Sequence, residues 1–517
     1  MTECRNDRHL GHLLIEKLRE RPGEICQIDA GTGESETNAS VLSRAVRLAR
    51  GLRQLGLKPG DVLALQGTNH LDLLIPFYAA LFNGLTLVGV DPAYDYEETK
   101  YAMMVAKPAV VFTDSELVRE AITKLDLDTK IITFKEGEHS MRSFMEEYDN
   151  GNESDAEFRV AEYDVEKIPI WLITTSGSTG FPKLTTNPHP QWMKRITEHG
   201  FDPTRLEEYR IGISLTPVQW ISAYHASVGM PLFNYTILRS SAPPTTEHFI
   251  DIINTYKPKR GLFIPYLIDN ALNHERYCDF TCFDNIALGG IKVNPDIITQ
   301  LRQRIRSDAQ AYSLYGATEP SGLLSVADHD TPLNSIGKPV LHEFKLVDLE
   351  SGAEITEPHK EGELWVKGPM CRGYYRNPEQ TAAAFVDGWY KTGDLVYRDE
   401  DNYYYYIERI GQLIKNGSYF ISPWDLKDII EAHPDVLEAY VTGVPSLKTG
   451  DHPIACVVRR PGHHVTAQEI KDFVAGKVRR HERLGGGVIF MEELPRTSTG
   501  KYAMTKLKQI ALMGHPE

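Results

Sequence analysis

Residues 174–186 read TTSGSTGFPKLTT, which combines small hydroxyl side chains, two glycines and one lysine. Glycines let backbone N–H groups approach an anion because no Cβ stands in the way. Ser176, Ser178 and Thr179 add hydroxyl donors, and Lys183 adds a positive charge. The strand-like run IPIWLIT leads into this segment. A strand followed by a loop of this composition predicts a site that holds phosphates.

The segment taken alone leaves two interpretations open. Its spacing differs from that of the Walker loop, in which a glycine, four further residues and Gly-Lys-Ser/Thr follow one another. A flexible surface loop is the other interpretation of the same composition. The rest of the sequence must therefore decide between a phosphate site and a plain loop.

Charge restricts the partners of the chain. Its 517 residues include 56 basic and 71 acidic side chains, for a net charge of −15. An acidic surface argues against nucleic acid or an anionic membrane as the main partner. It is compatible with a local basic pocket for a phosphate ligand.

The elements that must position the loop alternate between helical and strand-like patterns over residues 1–170. Residues 42–57 show helical spacing, whereas DVLALQG (61–67), PAVVFTD (108–114) and KIITF (130–134) read as short strands. This alternation continues through 211–330. It predicts a largely parallel sheet with helices on its faces.

The pattern changes beyond residue 337, where short β runs are separated by turn residues up to about residue 409. The last hundred residues have the pattern of a compact α+β unit. We therefore predict an α/β protein with two domains. The large N-terminal domain, residues 1–409, contains stacked, mainly parallel sheets with helices and a β-rich subdomain. A small, mobile α+β domain covers residues 410–517.

Residues 73–90 form a stretch of 18 residues without a charge. A membrane span needs about 20 continuous apolar residues, and Pro76 and Asn83-Gly84 interrupt this one. We expect a buried helix from Leu73 to Phe82, a turn, and then a buried strand from Leu85 to Val90.

Signals for export and for metal binding by cysteine are also missing from the sequence patterns. The first residues, MTECRNDRHLGHLL, are polar and charged, and the last, GHPE, carry no peroxisomal tripeptide. We expect a cytoplasmic chain, monomeric or homodimeric, without an integral membrane span. Its scattered cysteines are expected to be reduced: Cys4, Cys26, Cys278, Cys282, Cys371 and Cys456.

TTSGSTGFPK resembles the phosphate-loop signature of the adenylate-forming superfamily, which includes acyl- and aryl-CoA ligases, peptide-synthetase adenylation domains and beetle luciferases. Further motifs follow in the order of that family. They are LGGIKV (288–293), LYGATEP (314–320), GELWVKGP (362–369), GWYKTGDL (388–395) and ELPRTSTGKYAMTKL (493–507). The run GGGVIFMEELPRTSTGK is most similar to the 4-coumarate–CoA ligase and beetle luciferase branch.

The resemblance implies an enzyme that uses ATP and Mg²⁺ to activate a fatty or aryl acid as an acyl-adenylate. Coenzyme A would then displace AMP and form a thioester. Two anions must meet in the first step, so positioning and electrostatics dominate the chemistry.

The resemblance also assigns roles to residues. Lys501 bridges the substrate carboxylate and the α-phosphate, Thr318 contacts phosphate, Glu319 helps to hold Mg²⁺, and Lys415 serves thioester formation. Tyr315 lies against the adenine, and Asp394 binds the ribose with help from Arg409. Together the residues implied to bind ATP or AMP are Thr175, Ser176, Gly177, Ser178, Thr179, Gly180, Lys183, Gly289, Gly290, Tyr315, Gly316, Ala317, Thr318, Asp394, Arg409 and Lys501.

An acyl pocket is implied by the same comparison. Trp220 stands where relatives place a histidine or an aromatic gate, and His225 is interpreted as a pocket wall or a core histidine. Small side chains in the pocket admit a flat or a long acid. The implied lining is Trp220, Ala287, Gly289, Gly290, Gly316 and Val326.

The sequence departs from the family pattern at several positions. Leu184 follows FPK where glycine is usual, and Gly411, the implied hinge, replaces a charged residue. Near Lys415, Ser418 replaces a glycine and Phe420 a glutamine. The departures near Lys415 affect the route of the coenzyme A thiol and not the adenylation residues. A luciferase-like or adenylate-only enzyme therefore stays an alternative, as does a non-catalytic protein that binds nucleotide or acyl groups.

Overall fold

The computed structural model describes most of the chain. The described residues are 8–148, 154–175, 181–199, 210–416, 419–446, 450–496 and 501–514.

The chain divides into two compact units. The first contains residues 1–343 and 366–390, and the second contains residues 344–365 and 391–517. Residues 344–365 and 391–409 thus group with the C-terminal residues. The boundary expected between residues 409 and 410 stays a prediction.

Helices and strands are numbered in chain order. The helices are α1 (Leu10–Glu20), α2 (Asn38–Gln54), α3 (Leu74–Asn83), α4 (Tyr96–Ala106), α5 (Glu116–Lys124), α6 (Met141–Tyr148), α7 (His189–His199), α8 (Ile221–Leu232), α9 (Thr246–Tyr256), α10 (Pro265–Leu272), α11 (Pro295–Arg304), α12 (Pro378–Ala384), α13 (Pro423–Glu431), α14 (Ala467–Ala475) and α15 (Met504–Met513). The strands up to residue 339 are β1 (Ile25–Asp29), β2 (Ser35–Thr37), β3 (Val62–Leu65), β4 (Thr86–Gly89), β5 (Val110–Phe112), β6 (Lys130–Ile132), β7 (Pro169–Thr175), β8 (Lys183–Pro188), β9 (Arg210–Ile213), β10 (Tyr235–Arg239), β11 (Arg260–Phe263), β12 (Asn285–Leu288), β13 (Gln310–Ala317), β14 (Gly322–Ala327) and β15 (Lys338–Pro339). The later strands are β16 (Glu343–Val347), β17 (Glu354–Ile355), β18 (Gly362–Lys367), β19 (Phe385–Val386), β20 (Trp389–Arg398), β21 (Tyr404–Arg409), β22 (Ile414–Asn416), β23 (Tyr419–Ile421), β24 (Val436–Ser446), β25 (Gly450–Arg459) and β26 (Gly487–Met491).

Two mainly parallel sheets form the frame of the first unit. One runs in the order β15-β14-β13-β12-β11-β9-β10-β1-β2, and the other in the order β6-β5-β3-β4-β7-β8. Pairing is parallel from β13 through β1 in the first sheet and from β6 through β7 in the second. The antiparallel pairs lie at the sheet edges. The predicted α/β fold class is thus confirmed.

The six strands β16 to β21 form a third sheet, and β22 to β26, all of the second unit, form a fourth. The latter sheet packs its apolar side chains against α13 and α14 in a core of its own. This arrangement agrees with the β-rich and α+β patterns of the sequence.

The uncharged stretch of residues 73–90 lies in the interior of the first unit. Every residue of α3 is buried, and β4 is buried along its whole length. Gly84 ends the helix with a φ of 67°, a left-handed conformation that glycine adopts without strain. The expected buried helix, turn and strand are confirmed. Among the described residues, no helix has the length and apolarity that a membrane crossing requires.

A group of aromatic and imidazole side chains, the histidine cluster, joins the start of the chain to β8 and α7. It consists of His9, His12, Tyr163 and His189. His9 Nε2 lies 2.9 Å from the Ala161 carbonyl, and its Nδ1 accepts a hydrogen bond from Gly11 N–H. A carbonyl can only accept a hydrogen bond, so Nε2 of His9 carries a proton. Because Nδ1 accepts a hydrogen bond, it carries none, and the ring is neutral.

His189 lies at the other end of the histidine cluster. Its Nε2 is 2.9 Å from the Tyr163 hydroxyl, and its Nδ1 is buried without a partner among the described residues. The pKa of His9 is lowered to about 4, mainly by burial, with an opposing effect of the Ala161 carbonyl and a smaller lowering by His12. The pKa of His189 is lowered to about 3, mainly by burial and also by His9. Protonation therefore favours the unfolded chain below pH 6.5.

We predict that acid weakens the first unit through these histidines. Each adds a pH slope of about 1.4 kcal/mol per unit below pH 6.5, because the unfolded state binds the proton more tightly. His189→Gln should therefore lose about 2 kcal/mol less stability than the wild type between pH 7 and pH 5. Urea unfolding at both pH values measures this difference. His359→Gln, at an exposed histidine paired with Glu400, is the matched control. Equal acid sensitivity in all three proteins would refute the prediction.

Candidate active site

The hairpin of β7 and β8 positions both ends of the glycine- and hydroxyl-rich segment. The strands pair antiparallel, with Thr175 opposite Lys183 and Thr174 opposite Leu184. Thr175 and Lys183 therefore lie side by side where the segment begins and ends. The five remaining residues predicted for the phosphate loop lie outside the described residues: Ser176, Gly177, Ser178, Thr179 and Gly180.

A second stretch of chain, residues 371–375, runs along β8. Backbone hydrogen bonds join Arg372 N to Thr186 O, Thr186 N to Gly373 O, and Tyr375 N to Leu184 O, at 2.7–2.9 Å. These bonds hold Tyr374 beside Lys183. Leu184, where the family pattern has glycine, is buried and lies within this pairing.

Glu319 meets Tyr374 and Lys183 at this point. The Tyr374 hydroxyl donates a hydrogen bond of 2.8 Å to Glu319 Oε1, and the Lys183 ammonium lies 4.7 Å from the centre of the Tyr374 ring. A further backbone bond, from Cys371 N to Glu319 O at 2.7 Å, fixes the main chain of the glutamate. The carboxylate is buried, so the phenol provides a partner that water does not.

Electrostatics supports this arrangement. Burial lowers the pKa of Lys183, and the negative charge of Glu319 works in the opposite direction. Burial, followed by the Glu319 charge, raises the pKa of Tyr374 well above its ordinary value. The phenol therefore keeps its proton and acts as a donor. The sequence offered no sign that Tyr374 would take this position.

The structure tests whether Mg²⁺ fits these residues. Within the described ranges, no group of three or more His, Cys, Asp or Glu side chains could hold a metal by itself. Magnesium at nucleotide sites is usually bound by one or two carboxylates together with substrate phosphates and water. A single buried carboxylate next to a phosphate-type hairpin fits that mode of binding, so Glu319 remains the proposed ligand.

The carboxyl ends of β12 and β13 lie next to each other and carry most of the other predicted residues. A Cβ at Gly289 would stand 3.1 Å from the Leu314 carbonyl, and one at Gly316 would stand 2.5 Å from the Gly322 carbonyl. Gly316 therefore requires the absence of a side chain, whereas a side chain at Gly289 would require the Leu314 carbonyl to shift slightly. The structure brings together here Ala287, Gly289 and Gly290 from β12 and its turn, Tyr315, Gly316 and Ala317 from β13, and Val326 from β14.

Thr318 begins the turn after β13, which closes through a bond from Ser321 N to Thr318 O of 2.9 Å. His225, on α8, lies 3.3 Å from the Ser321 carbonyl and packs against Trp192. It is half-buried, in agreement with a wall or core histidine. Trp220 directly precedes α8 and is also half-buried. Its role as an acyl gate stays a prediction.

The second unit holds another group of predicted residues. Asp394 on β20 and Arg409 on β21 are register partners, and Arg409 Nε lies 2.8 Å from Asp394 Oδ1. Asp394 is buried, and its backbone N–H bonds to Thr392 Oγ1. Arg409 also donates to the Thr392 carbonyl at 2.9 Å. The pair thus has a fixed geometry, as a ribose-binding carboxylate requires.

Two contacts lie close to Lys501. Arg496 pairs with Tyr502 as a β-bridge, and Ala503 N bonds to the Pro495 carbonyl at 2.9 Å. Burial lowers the pKa of Lys501 to about 8, and the positive charge of Arg409 adds to the effect. A lysine with this environment carries its charge at neutral pH with less solvation than an exposed one.

The implied thioester loop contains Lys415 on β22, opposite Phe420 on β23. Lys415 is exposed, and its ammonium lies 5.8 Å from the centre of the Phe420 ring. Phe420 is 53% exposed, so it presents an apolar face where the family has a glutamine. Gly411 is exposed in a short 3₁₀ turn, with open space where a Cβ would stand. Ser418 and its neighbour Gly417 lie outside the described residues.

Family comparison identifies the class of this protein. A model described as AMP-binding enzyme matches residues 14–375, and one described as AMP-binding enzyme C-terminal domain matches residues 426–501. The chain belongs to the AMP-binding enzyme family. Its predicted place in the adenylate-forming superfamily is confirmed.

Individual proteins that resemble this chain are consistent with its membership of this family. Luciferin 4-monooxygenase of Photinus pyralis is 29% identical over 97% of this chain and 94% of its own length. A probable 4-coumarate–CoA ligase of Dictyostelium discoideum is 24% identical over 98% and 95%, respectively. The solved structure of an anthranilate CoA ligase in complex with anthranoyl-AMP has the same fold, with a TM-score of 0.84, 20% identity and 99% coverage of both chains.

We predict that Tyr374→Phe weakens the binding of ATP in the presence of Mg²⁺. The change removes the donor to the buried Glu319 carboxylate but keeps the ring beside Lys183. Loss of one such bond corresponds to roughly 5- to 10-fold weaker binding. Isothermal titration calorimetry with ATP in the presence of Mg²⁺ should show this loss of affinity. The same titration in EDTA should show a smaller loss. Tyr375→Phe, at the adjacent tyrosine, should bind like the wild type. A Tyr374→Phe protein with unchanged Mg²⁺-ATP affinity would contradict the assignment.

Proposed function

We propose that this protein activates a fatty or aryl carboxylic acid with ATP and Mg²⁺ and then transfers the acyl group to coenzyme A. The observation that carries the proposal is the contact of Lys183, Tyr374 and Glu319 beside the β7–β8 hairpin. A cation and a held carboxylate next to a phosphate-type loop are suited to a metal-bound triphosphate. The AMP-binding family and its coenzyme A ligase relatives support the same conclusion.

The first step joins two anions. A carboxylate oxygen of the acid attacks the α-phosphorus, a new P–O bond forms, and the bond to the leaving pyrophosphate breaks. Bound Mg²⁺ would supply neutralisation of phosphate charge. Lys183 and Thr318 would hold phosphate oxygens, and Lys501 would place its charge between the carboxylate and the α-phosphate. Catalysis then consists mainly of positioning and charge stabilisation.

Asp394 and Tyr315 would recognise the nucleoside. Asp394, fixed by Arg409, offers acceptors to the two ribose hydroxyls. Tyr315, near the end of β13, would lie against the adenine ring, beside glycines whose missing side chains make way for the neighbouring backbone. The same small residues, with Trp220, would admit the acyl chain or aryl ring.

In the second step the coenzyme A thiol attacks the acyl carbon of the adenylate, a C–S bond forms, and AMP leaves. Lys415 and the β22–β23 hairpin would serve this step. Gly411 would absorb the backbone rotation that presents Lys415 in place of Lys501. Domain boundaries at 409 and 410, a cytoplasmic location and a monomeric or homodimeric state are proposed together with this mechanism.

A second candidate is an enzyme that forms the adenylate and does not use coenzyme A. The exposed Phe420 beside Lys415 favours it, as does the similarity to luciferin 4-monooxygenases. A non-catalytic nucleotide-binding protein is less well supported, since Lys501, Thr318 and Glu319 are all present.

We predict that Lys501→Ala lowers ATP–pyrophosphate exchange by about 10²- to 10³-fold, because a charge that acts in the transition state is lost. The exchange of the wild type should also fall as the pH rises through about 8, where Lys501 loses its proton. Lys506→Ala, at an exposed lysine of α15, should leave the exchange unchanged. Undiminished exchange in Lys501→Ala would show that Lys501 has a different role.

A panel of fatty and aryl acids, assayed with and without coenzyme A, decides between ligase and adenylate-only enzyme. We expect thioester formation by the wild type and its selective loss in Lys415→Ala, with exchange retained. Phe420→Gln, which restores the family residue, should form thioester at least as fast as the wild type. Exchange without thioester for every acid of the panel would favour the adenylate-only enzyme.

A further inference from the structure

A small internal cavity of the first unit is separate from the residues discussed so far. It lies among α3, α8, the end of β10 and the segment that follows β9. None of the described residues predicted to bind nucleotide or acid lines it. Its walls combine polar and apolar side chains, and they are formed by Asn69, Leu73, Leu74, Phe77, Ser214, Thr216, Val218, Ala223, Ser227 and Arg239.

Arg239 supplies a positive charge to this cavity. The residue is 6% exposed, and its Nε is buried without an acceptor among the described residues. Asp29 is its register partner on β1, but Asp29 Oδ1 accepts hydrogen bonds from Gly31 N–H and Ser241 N–H at 2.8 and 2.9 Å. The ion pairs of the described residues do not include Arg239. Burial accordingly lowers the pKa of Arg239, and the charge of Asp29 opposes this only in part.

The polar wall of the cavity combines the Arg239 guanidinium, which can only donate, with hydroxyls that can donate or accept. Asn69 uses its amide N–H groups to bind the Leu215 and Thr216 carbonyls, at 3.0 and 3.3 Å. These bonds hold the segment that carries Ser214 and Thr216. On α8, the Ser227 carbonyl is occupied by the Tyr78 hydroxyl at 2.7 Å. The Arg239 guanidinium and the hydroxyls of Ser214, Thr216 and Ser227 are the groups that can bind a ligand in the cavity.

A buried cation needs compensation. A charge removed from water costs several kcal/mol unless a counter-charge and hydrogen bonds replace the water. Donors on three sides of the cavity with no carboxylate in its lining define a place for negative charge. The space is suited to a single water-sized particle and not to an organic acid.

We propose that this cavity is a binding site for a small monovalent inorganic anion, of which chloride is the representative. The anion contacts the Arg239 guanidinium and one or more of the hydroxyls of Ser214, Thr216 and Ser227. It also packs against the apolar side chains of α3. Its function is to neutralise the arginine between β10 and α8. The site does not depend on the proposed reaction.

The test compares thermal unfolding at constant ionic strength while sodium bromide replaces sodium gluconate. The midpoint of thermal unfolding of the full-length wild type should be roughly 1–3 °C higher in bromide than in gluconate, because an anion that binds only the folded chain stabilises it. Arg239→Met keeps the length of the side chain and should show no rise. In gluconate it should be at least as stable as the wild type, since it removes a buried charge that Asp29 compensates only in part. Arg306→Met, at a surface arginine paired with Asp284 and Asp308, should respond like the wild type.

Crystals soaked in bromide provide the direct measurement. An anomalous peak beside the Arg239 guanidinium supports the proposal, whereas water alone in the cavity overturns it. The proposal also fails if Arg239→Met and the wild type respond equally to bromide. If Arg239→Met does not fold, Thr216→Val keeps the guanidinium and should show a reduced bromide response. A full response of Thr216→Val, together with an absent anomalous peak, would refute the site.

Discussion

The hydrogen bond from Tyr374 to Glu319 is the interaction on which the candidate site of the first unit depends. The Tyr374 phenol has a raised pKa, so it keeps its proton and donates one hydrogen bond to the buried side chain of Glu319. The ring also provides a face for Lys183. One side chain thus contacts both the cation and the glutamate.

In the second unit, Asp394, Arg409 and Lys501 form a second group of interacting charged side chains. Arg409 orients the Asp394 carboxylate and lies near enough to Lys501 to weaken the hold of that lysine on its proton. Arg409 therefore acts on both of these side chains. Both groups rely on antiparallel strand pairs, β7 with β8 and β20 with β21, whose register decides which side chains meet.

Much of the fold follows from sequence patterns. Fully apolar runs such as VLAL and TLVG predict strands covered on both faces, and the parallel sheets confirm them. The order and spacing of the motifs also predict functional roles for Lys183, Glu319, Asp394 and Lys501, and these roles stay predictions. Short-range patterns cannot reveal Tyr374, because its partner lies 55 residues away and the contact depends on how the chain returns to β8. The same limit hid Arg239, whose surroundings come from several distant segments.

The first unit takes up residues 366–390 after the chain has already begun the second. Residues 371–375 give β8 its outer neighbour and bring Tyr374 to Glu319. On the ribosome, this corner of the first unit therefore remains incomplete until about three-quarters of the polypeptide has emerged. A fragment that stops at residue 343 would keep both large sheets and still lack the piece that holds the glutamate in place.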